Sequence, residues 1–562
     1  MLNLHFGQNK MNNRSFKYYS LMLLLLVLPF VLRGRQSNTF PKAEKLALFT
    51  DRDLYIAGEE VHFSAFVTNH PLPGLSHIVY AEILEPDGTR ITGGKFLLAH
   101  EATHGCLTIP SGSITGTYYL RVYTKYMRNT GPGSFAYVSL RIINPYKIDV
   151  LSGNDTLQNK IEQKTVKGVG NPLKITTNKK IFIPREKVKV TVRTGKIKGL
   201  CASVVPELAA PGSMLHMNSR SSKVDIINFY PENRGLSVTG KLKDSITGKG
   251  EAGALVNLSI IGRGQTFMAT KTDSSGHFYF SLPMYTGNRD LFLGPQNIRG
   301  THPKILVDND FSVARVHLPN PVFKLDSAER VLASQMAQNN RVRELFTNDS
   351  LNCNSRALRP DKAFYGKPSY TLTLDQYIQL PTLEEYFNEL PSMVKVRKHD
   401  GKKYFKVIGD QPDMEYLEPL VLVDWVAVDD PEKILAASPS NVARIEVVNK
   451  PYVIGDITYG GIVSIITKKN NFAGIDLPKS GMFLNYAFLH DNCHCTILTP
   501  QSPDKPDTRN TLYWNPDLDL NLGNEVHFSF TTADTPGKYT IIFQGIGHDG
   551  KIFVKRAIID VK

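Results

Sequence analysis

The chain has 562 residues, 41% hydrophobic and 21% charged, the composition of an ordinary globular protein. It is too long for one core, and length alone predicts about three to five domains. The formal net charge of +14 is scattered, with no basic block long enough for a nucleic-acid site; it reads as a solvated surface, with attraction to anionic headgroups as the functional alternative.

In chain order, Lys10, Arg14 and Lys17 precede an apolar run at 21–32, and Arg33 and Arg35 follow it. Such a run is short for a bilayer span and suits a secretory h-region. Residues 1–35 are therefore expected to be a signal peptide or a retained anchor, giving an exported chain with membrane association through this segment. No Cys follows the run, so a lipid anchor is not expected. The abundance of Tyr (24) and Phe (28) favours strands. Cys106, Cys201, Cys353, Cys493 and Cys495 are odd in number and widely spaced, unlike a disulfide framework, and leave room for one long-range pair.

Residues 54–56 and 61–67 alternate apolar and polar residues around an Ala57-Gly58-Glu59 turn, and a Tyr-rich strand restarts at Gly116. Asp51, Arg52, Tyr55, Gly58 and Glu59, with Gly116, Tyr118, Leu120, Arg121, Tyr123 and Thr124, resemble the opening and closing motifs of the macroglobulin-like sandwich of the alpha-2-macroglobulin family. The resemblance implies a binding or structural sandwich at 44–145. The family's thioester motif is absent, so covalent trapping is not expected. Residues 173–194 repeat the opening pattern, with Phe182 where Tyr55 stood, which predicts a second macroglobulin-like β-unit at 172–232.

Residues 234–316 carry Gly240, Asp244, Thr247, Gly248, Val256, Thr272, Asp273, Gly276 and Phe278. These resemble the carboxypeptidase regulatory-like domain, a transthyretin-like sandwich, with Gly276 able to take positive φ in the Asp273–Gly276 turn. At 326–346, Asp326 or Ser327 can cap a bridging helix with an apolar stripe of Val331, Leu332, Met336, Val342, Leu345 and Phe346. Residues 370–468 hold Val423, Asp424, Ile445, Glu446, Val447, Gly455, Gly461, Val463, Ile465 and Thr467. Their order resembles the plug domain of TonB-dependent outer-membrane receptors, with Asp424, Glu446 and Gly461 as motif residues. Trp425 replaces the usual Gly and puts the tight turn in question. A plug sits in a barrel of about 22 strands, which the residues after Lys469 are too few to build. The resemblance therefore implies a free module or a barrel from another chain. A further β-unit is expected at 481–562. The expected fold is mainly β: a chain of β-sandwich domains plus one small α+β plug-like domain. This succession resembles envelope proteins of Gram-negative bacteria, which implies a periplasmic or outer-membrane-associated location.

Three clusters could carry chemistry. His100, Glu101 and His104 match the zincin pattern His-Glu-x-x-His, which needs a helix to set both histidines on one face. Gly93-Gly94 and Gly105 argue instead for a turn. His490, Asp491, Cys493, His494 and Cys495 resemble a labile metal or redox cluster, but Cys-x-Cys is cramped for tetrahedral zinc, and a surface loop bearing a thiol is the alternative. Asp507, Arg509, Asn510, Tyr513 and Trp514 suit protein or glycan contact; alternatively the two rings pack inward and Arg509 pairs locally. The expected function is a non-enzymatic envelope binding or scaffold protein with no cofactor and no nucleic acid, accessory to a TonB-dependent receptor or uptake complex. The alternatives are a zinc metallopeptidase centred on residues 100–104 and a protease-binding decoy without a thioester.

Overall fold

In the computed structural model the alternation at the start of the chain becomes a strand, Glu60–Val67, whose Val61, Phe63, Ala65 and Val67 enter the first core. The structure describes residues 44–69, 75–153, 173–193, 195, 197–211, 214–215, 229–261, 266–296, 302–346, 363–377, 379–389, 393–409, 411–477, 479–490, 504–518 and 525–562. The N-terminal run, Cys353, Asp491, Cys493, His494 and Cys495 lie outside them. Among the described residues no helix is long and apolar enough to cross a membrane.

Glu60–Val67 pairs antiparallel with Leu46–Thr50 and Ala102–Thr108. The opposing sheet runs Met214–Leu215, Ala136–Ile143, Gly116–Tyr123, Ile78–Leu84, Arg90–Leu97, with Leu54–Ile56 parallel to Ala136–Ile143. A Cβ on Gly105 would stand 2.3 Å from the Phe96 ring, so glycine there lets the two sheets close. The second face of Glu60–Val67 is not solvated: His62, Ser64 and Phe66 are buried too, and Ser64 Oγ donates to Pro516 O at 2.8 Å.

That second face meets another sandwich. Lys174–Thr177, Lys187–Arg193 and Glu525–Thr531 form one of its sheets. The other runs Ile181–Phe182, Ile552–Val561, Gly537–Gly547, Ile197–Pro206, Tyr513–Asn515. The segments expected as separate units at 172–232 and 481–562 are thus halves of one sandwich. Neither half has enough strands to cover its own apolar face. Val190 stands opposite Phe528 and Ala202 opposite Phe543, and Val188, Val192, Phe530 and Ile541 share one core.

The intervening chain is an insertion. Its third sandwich sets His277–Ser281, Ser237–Asp244 and Pro303–Val307 against Thr266–Lys271, Leu255–Ile260, Asn288–Gln296 and Met482–Ala487. The last strand, expected in the C-terminal unit, completes this sheet instead. After Val307 the chain crosses the first sandwich as an extended strap. Leu318 N donates to Pro86 O (2.7 Å), Ser312 N to Tyr123 Oη (2.7 Å) and Tyr119 Oη to Pro319 O (2.5 Å).

Helix α1, Ser327–Phe346, starts on a reciprocal capping box: Glu329 N donates to Asp326 Oδ1 (2.8 Å) and Asp326 N to Glu329 Oε2 (3.0 Å). Its buried face is Ala333, Met336, Asn339 and Asn340, while Val331 (72%) and Leu345 (68%) are exposed. Of the expected apolar stripe, Leu332 and Met336 do pack on the sheet, against Leu54, Ile56 and Ala209, while Val331 and Leu345 stay outside and Asn339 joins a polar junction beside them.

The α+β unit has a sheet in the order Tyr370–Thr373, Val442–Val448, Ile462–Thr467, Leu420–Val423, Val426–Ala427, with short helices α2 (Leu383–Glu389) and α3 (Pro431–Leu435). The Leu420–Val423 hairpin closes on Asp424 (φ 42°) and Trp425 (φ 74°). Both are left-handed, as a type I′ turn demands. Glycine is therefore not required here, although a left-handed Trp costs about 1–2 kcal/mol. The Asp424 carboxylate accepts from Thr467 N (2.8 Å), Thr467 Oγ1 (2.6 Å) and Phe472 N (2.8 Å), fixing the turn.

Two junctions join the inserted units. Between the first and third sandwiches, Lys95 Nζ lies 2.5 Å and Lys125 Nζ 3.1 Å from Asp310. Tyr80 Oη donates to Glu232 at 3.0 Å, and Lys125 Nζ also donates to Ser237 O (2.9 Å). Lys95 Nζ sits 3.7 Å over the Tyr486 ring. Burial would raise the Asp310 carboxyl, but Lys125 and Lys95 outweigh it and hold it below its ordinary range. Glu232 goes the other way, because burial outweighs Lys125 and Ser237 and raises it. Between the third sandwich and the α+β unit the contact is aromatic. Trp425 stacks on Tyr365 (centroids 5.8 Å) and shares an apolar cluster with Phe267. Ser259 Oγ donates to Trp425 O at 2.8 Å.

Candidate binding cleft

The opening motif of the first sandwich builds a buried polar network. Tyr55 Oη donates to Asp51 Oδ1 (2.7 Å) and Arg52 O (2.8 Å), and Arg52 Nη2 lies 3.0 Å from Glu59 Oε2. Burial opposes the Arg52 charge, yet Glu59 and Asp51 outweigh it and raise the guanidinium above its ordinary range. Two oxygens remain for partners elsewhere. Thr511 Oγ1 donates to Asp51 Oδ2 (2.7 Å) and Asn510 Nδ2 to Glu59 Oε1 (2.7 Å). Asn510 Nδ2 also reaches Met336 O of α1 (3.2 Å), and Asn339 Nδ2 donates to Asn510 Oδ1 (3.0 Å). One motif thus ties the first sandwich to the second and to α1.

Above this network opens a cleft of about 390 Å³. One wall is α1, through Val331, Leu332, Gln335 and Met336; another is the turn Pro206, Glu207, Leu208; the third is Thr535 to Tyr539. Apolar side chains face solvent here, with Leu208 41% exposed beside Val331. Mixed walls of aliphatic side chains and amides suit an apolar side chain on a polypeptide. The Pro536-Gly537 turn and Val331 were legible as turn and helix, but nothing local placed them together.

Of the residues expected to bind, Asp507 and Asn510 are buried, with 5% and 3% of their surface exposed, as are Tyr513 and Trp514, with 1% and 2%. Tyr513 stacks on Phe528 at 4.5 Å, and Trp514 packs with Phe49 and Phe66 of the first sandwich. Arg509 and Asn510 touch the cleft, but Arg509 Nε and Nη2 donate to Asp507 (2.7 and 2.6 Å), Nη1 to Leu512 O and Nη2 to Thr531 O. The cluster is therefore packing and junction, the inward alternative.

The zincin reading is corrected. His100 (φ 50°) and Glu101 (φ 67°) form a turn, and Ala102–Thr108 is a strand carrying His104, so no helix brings the histidines together. Glu101 pairs with Lys198 at 2.7 Å. Among the described residues one group of three gathers metal-capable atoms within 4.8 Å, namely Glu60, His62 and Cys106. Cys106 is disulfide-bonded and offers no thiolate, which leaves two ligands. Cys201 is free and buried. His490, the described member of its cluster, stacks on Phe96 at 5.2 Å. Of the plug-like motif, Asp424 clamps its turn, and Glu446 accepts from Tyr365 Oη (2.5 Å) and Arg444 Nε (2.7 Å). Gly461 takes φ 99°, where a Cβ would meet Val448 O at 2.5 Å.

Residues 45–136 match the family model of the MG2 domain, so the first sandwich is macroglobulin-like. No curated protein sequence matches the chain. Among solved structures, Salmonella alpha-2-macroglobulin reacted with methylamine is similar at 10% identity and TM-score 0.23, over 92% of this chain and 39% of that one. Trypsin-activated alpha-2-macroglobulin from Escherichia coli gives 10% and 0.23, over 92% and 41%. Dimeric latent PorU from Porphyromonas gingivalis gives 10% and 0.16, over 47% and 34%. The chain spans about two fifths of the length of the two macroglobulins.

Proposed function

We propose that the chain is a non-catalytic binding scaffold of the cell envelope, accessory to a TonB-dependent outer-membrane receptor or uptake complex. The observation that carries this reading is the set of buried junctions. Asp51, Arg52, Glu59, Lys95, Lys125 and Asp310 direct their charges at one another, and so hold binding modules in fixed relation rather than presenting reactive groups to a substrate. The Cys106 disulfide fits an oxidising, exported setting. The order of the α+β unit's motif residues supports a plug-like module whose barrel would come from another chain. The cleft between α1 and the second sandwich is the contact site this reading favours.

The test is cross-linking capture of the tagged, full-length chain from native envelopes, compared with a variant lacking residues 370–468. Recovery of a TonB-dependent barrel, lost with the deletion, supports the reading. Recovery of no barrel, or capture indifferent to the deletion, overturns the receptor assignment. The MG2 match favours one second reading, a protease-binding decoy without covalent capture. Co-elution of the intact chain with an active protease would move the assignment there.

A further inference from the structure

The α+β unit carries a two-stranded ribbon, Val394–His399 and Lys402–Val407, turning at Asp400 (φ 49°) and Gly401 (φ 79°). One face is anchored: Val394, Phe405 and Val407 are buried in the unit's core, against α2 and α3. Strand alternation sends Lys395, Arg397, His399, Lys402, Tyr404 and Lys406 to the opposite face. In register, Lys395 lies opposite Lys406 and Arg397 opposite Tyr404; Lys398 faces Lys403 on the other side, but at the tip, past the buried core, where Lys398 is exposed and belongs to the same basic end as Arg397 and Lys402. Like charges directly opposite destabilise a ribbon, so the arrangement gains nothing for the fold.

The counter-charges are few. Lys403 pairs with Glu384 (2.6 Å), Lys406 with Glu415 (3.1 Å), and His399 lies 3.5 Å from Asp400. Lys395, Arg397, Lys398 and Lys402 have no acidic partner within ion-pair distance among the described residues. Exposed rings and an aliphatic accompany the cations: Tyr404 (42%), Ile408 (49%) and, beside Glu415, Tyr416 (87%). Cations with exposed amphipathic rings beside them suit a bilayer interface, where rings sit among headgroups and each surface cation adds about 1 kcal/mol.

We propose that this ribbon is a docking surface for a bilayer bearing anionic phosphate headgroups. The inference goes beyond the scaffold reading and does not rest on it. The sequence hid the site because Val396, His399, Asp400 and Tyr404 break the cations into short groups.

The test is flotation of the full-length protein with phosphatidylcholine vesicles, with and without phosphatidylglycerol, against Arg397→Glu/Lys398→Glu/Lys402→Glu. All three residues are exposed, so folding should survive, and unchanged thermal unfolding checks it. A Lys398→Gln/Lys402→Gln variant serves if the triple does not fold. Comparing vesicle types within each protein cancels the apolar N-terminal run, and comparing wild type with variant cancels the cations that flank it. Expected is preference for anionic vesicles, weakened by salt and reduced about a hundredfold in the triple variant. Equal binding to neutral vesicles, or unchanged binding by the variants, overturns it. Tighter, variant-sensitive binding of a single-stranded oligonucleotide than of anionic vesicles also overturns it and reassigns the ribbon to nucleic acid.

Discussion

The third sandwich meets the first across a buried ionic cluster set in a shared apolar core, and meets the α+β unit across rings, with no buried ion pair between those two among the described residues. Towards the first sandwich, Lys95, Lys125, Glu232 and Asp310 share one buried cluster; towards the α+β unit, Trp425, Tyr365 and Phe267 make an apolar contact. An ionic contact is specific in geometry and fails badly when one member is lost. An aromatic contact is less directional and fails in proportion to the area uncovered. The inserted units are therefore coupled by a junction that responds to acid and one that responds to shape.

Asp310→Asn should produce the largest effect, since it leaves Lys95 and Lys125 buried without their anion. About 3–5 kcal/mol of stability should be lost at neutral pH, read by chemical denaturation. Asp310 has a lowered folded pKa, so its contribution is present above the ordinary carboxylate range and lost as pH falls through the folded value. The gap between wild type and variant should therefore narrow below about pH 4. Glu232, with a raised value, contributes in the opposite sense: its stabilisation is present in acid and lost as pH rises through the folded value. A gap that widens in acid would refute the ionic account.

At the aromatic junction, Trp425→Ala should cost about 3 kcal/mol, the low end for truncating a buried ring, because alanine keeps the Cβ and with it the left-handed strain. Hydrogen exchange should quicken around residues 420–427 while the first sandwich is unaffected. Trp425→Gly should be more stable than Trp425→Ala by about 0.5–1 kcal/mol, reversing the usual order for strand residues, because glycine takes positive φ freely. A variant pair in the ordinary order would argue that the turn relaxes once the ring is gone. Asn510→Ala removes a donor from buried Glu59 and should cost about 1–3 kcal/mol, measured by denaturation. Val331→Ser, exposed at the cleft, should shift stability by no more than about 0.5 kcal/mol, yet weaken any partner that uses the cleft in a binding titration.

Local pattern carried the individual strands and not their partners. Val61, Phe63 and Ala65 alternate with His62 and Ser64, and that period named the strand and its core face. The burial of Ser64 and Phe66 was not legible, because it depends on Pro516 and Trp514 far along the chain. Likewise Lys187–Arg193 reads as a strand, but its partner Glu525–Thr531 leaves no trace in the intervening sequence. Arg509 and Asn510 look like surface residues by type. Only the unmet oxygens of Asp51 and Glu59, which need donors once buried, could have signalled that Asn510 and Thr511 supply them. Trp425 at positive φ runs against propensity, and the anchor that permits it, Asp424 on Thr467 and Phe472, is tertiary.

The split second sandwich also sets a timetable. Ile181–Phe182 pairs with residues close to the C-terminus: Asp560 N donates to Lys180 O and Lys562 N to Phe182 O, each at 2.9 Å. Synthesis proceeds at about 5–20 residues per second, so Lys187–Arg193 and Ile197–Pro206 wait about 15–60 s for Tyr513–Asn515 and the strands after it. Throughout that interval they present open, β-prone edges. A nascent chain of this design needs either a holding factor or rapid collapse of the inserted units around the gap. Loss of even the last strand would leave the early half without the edge it was made to meet.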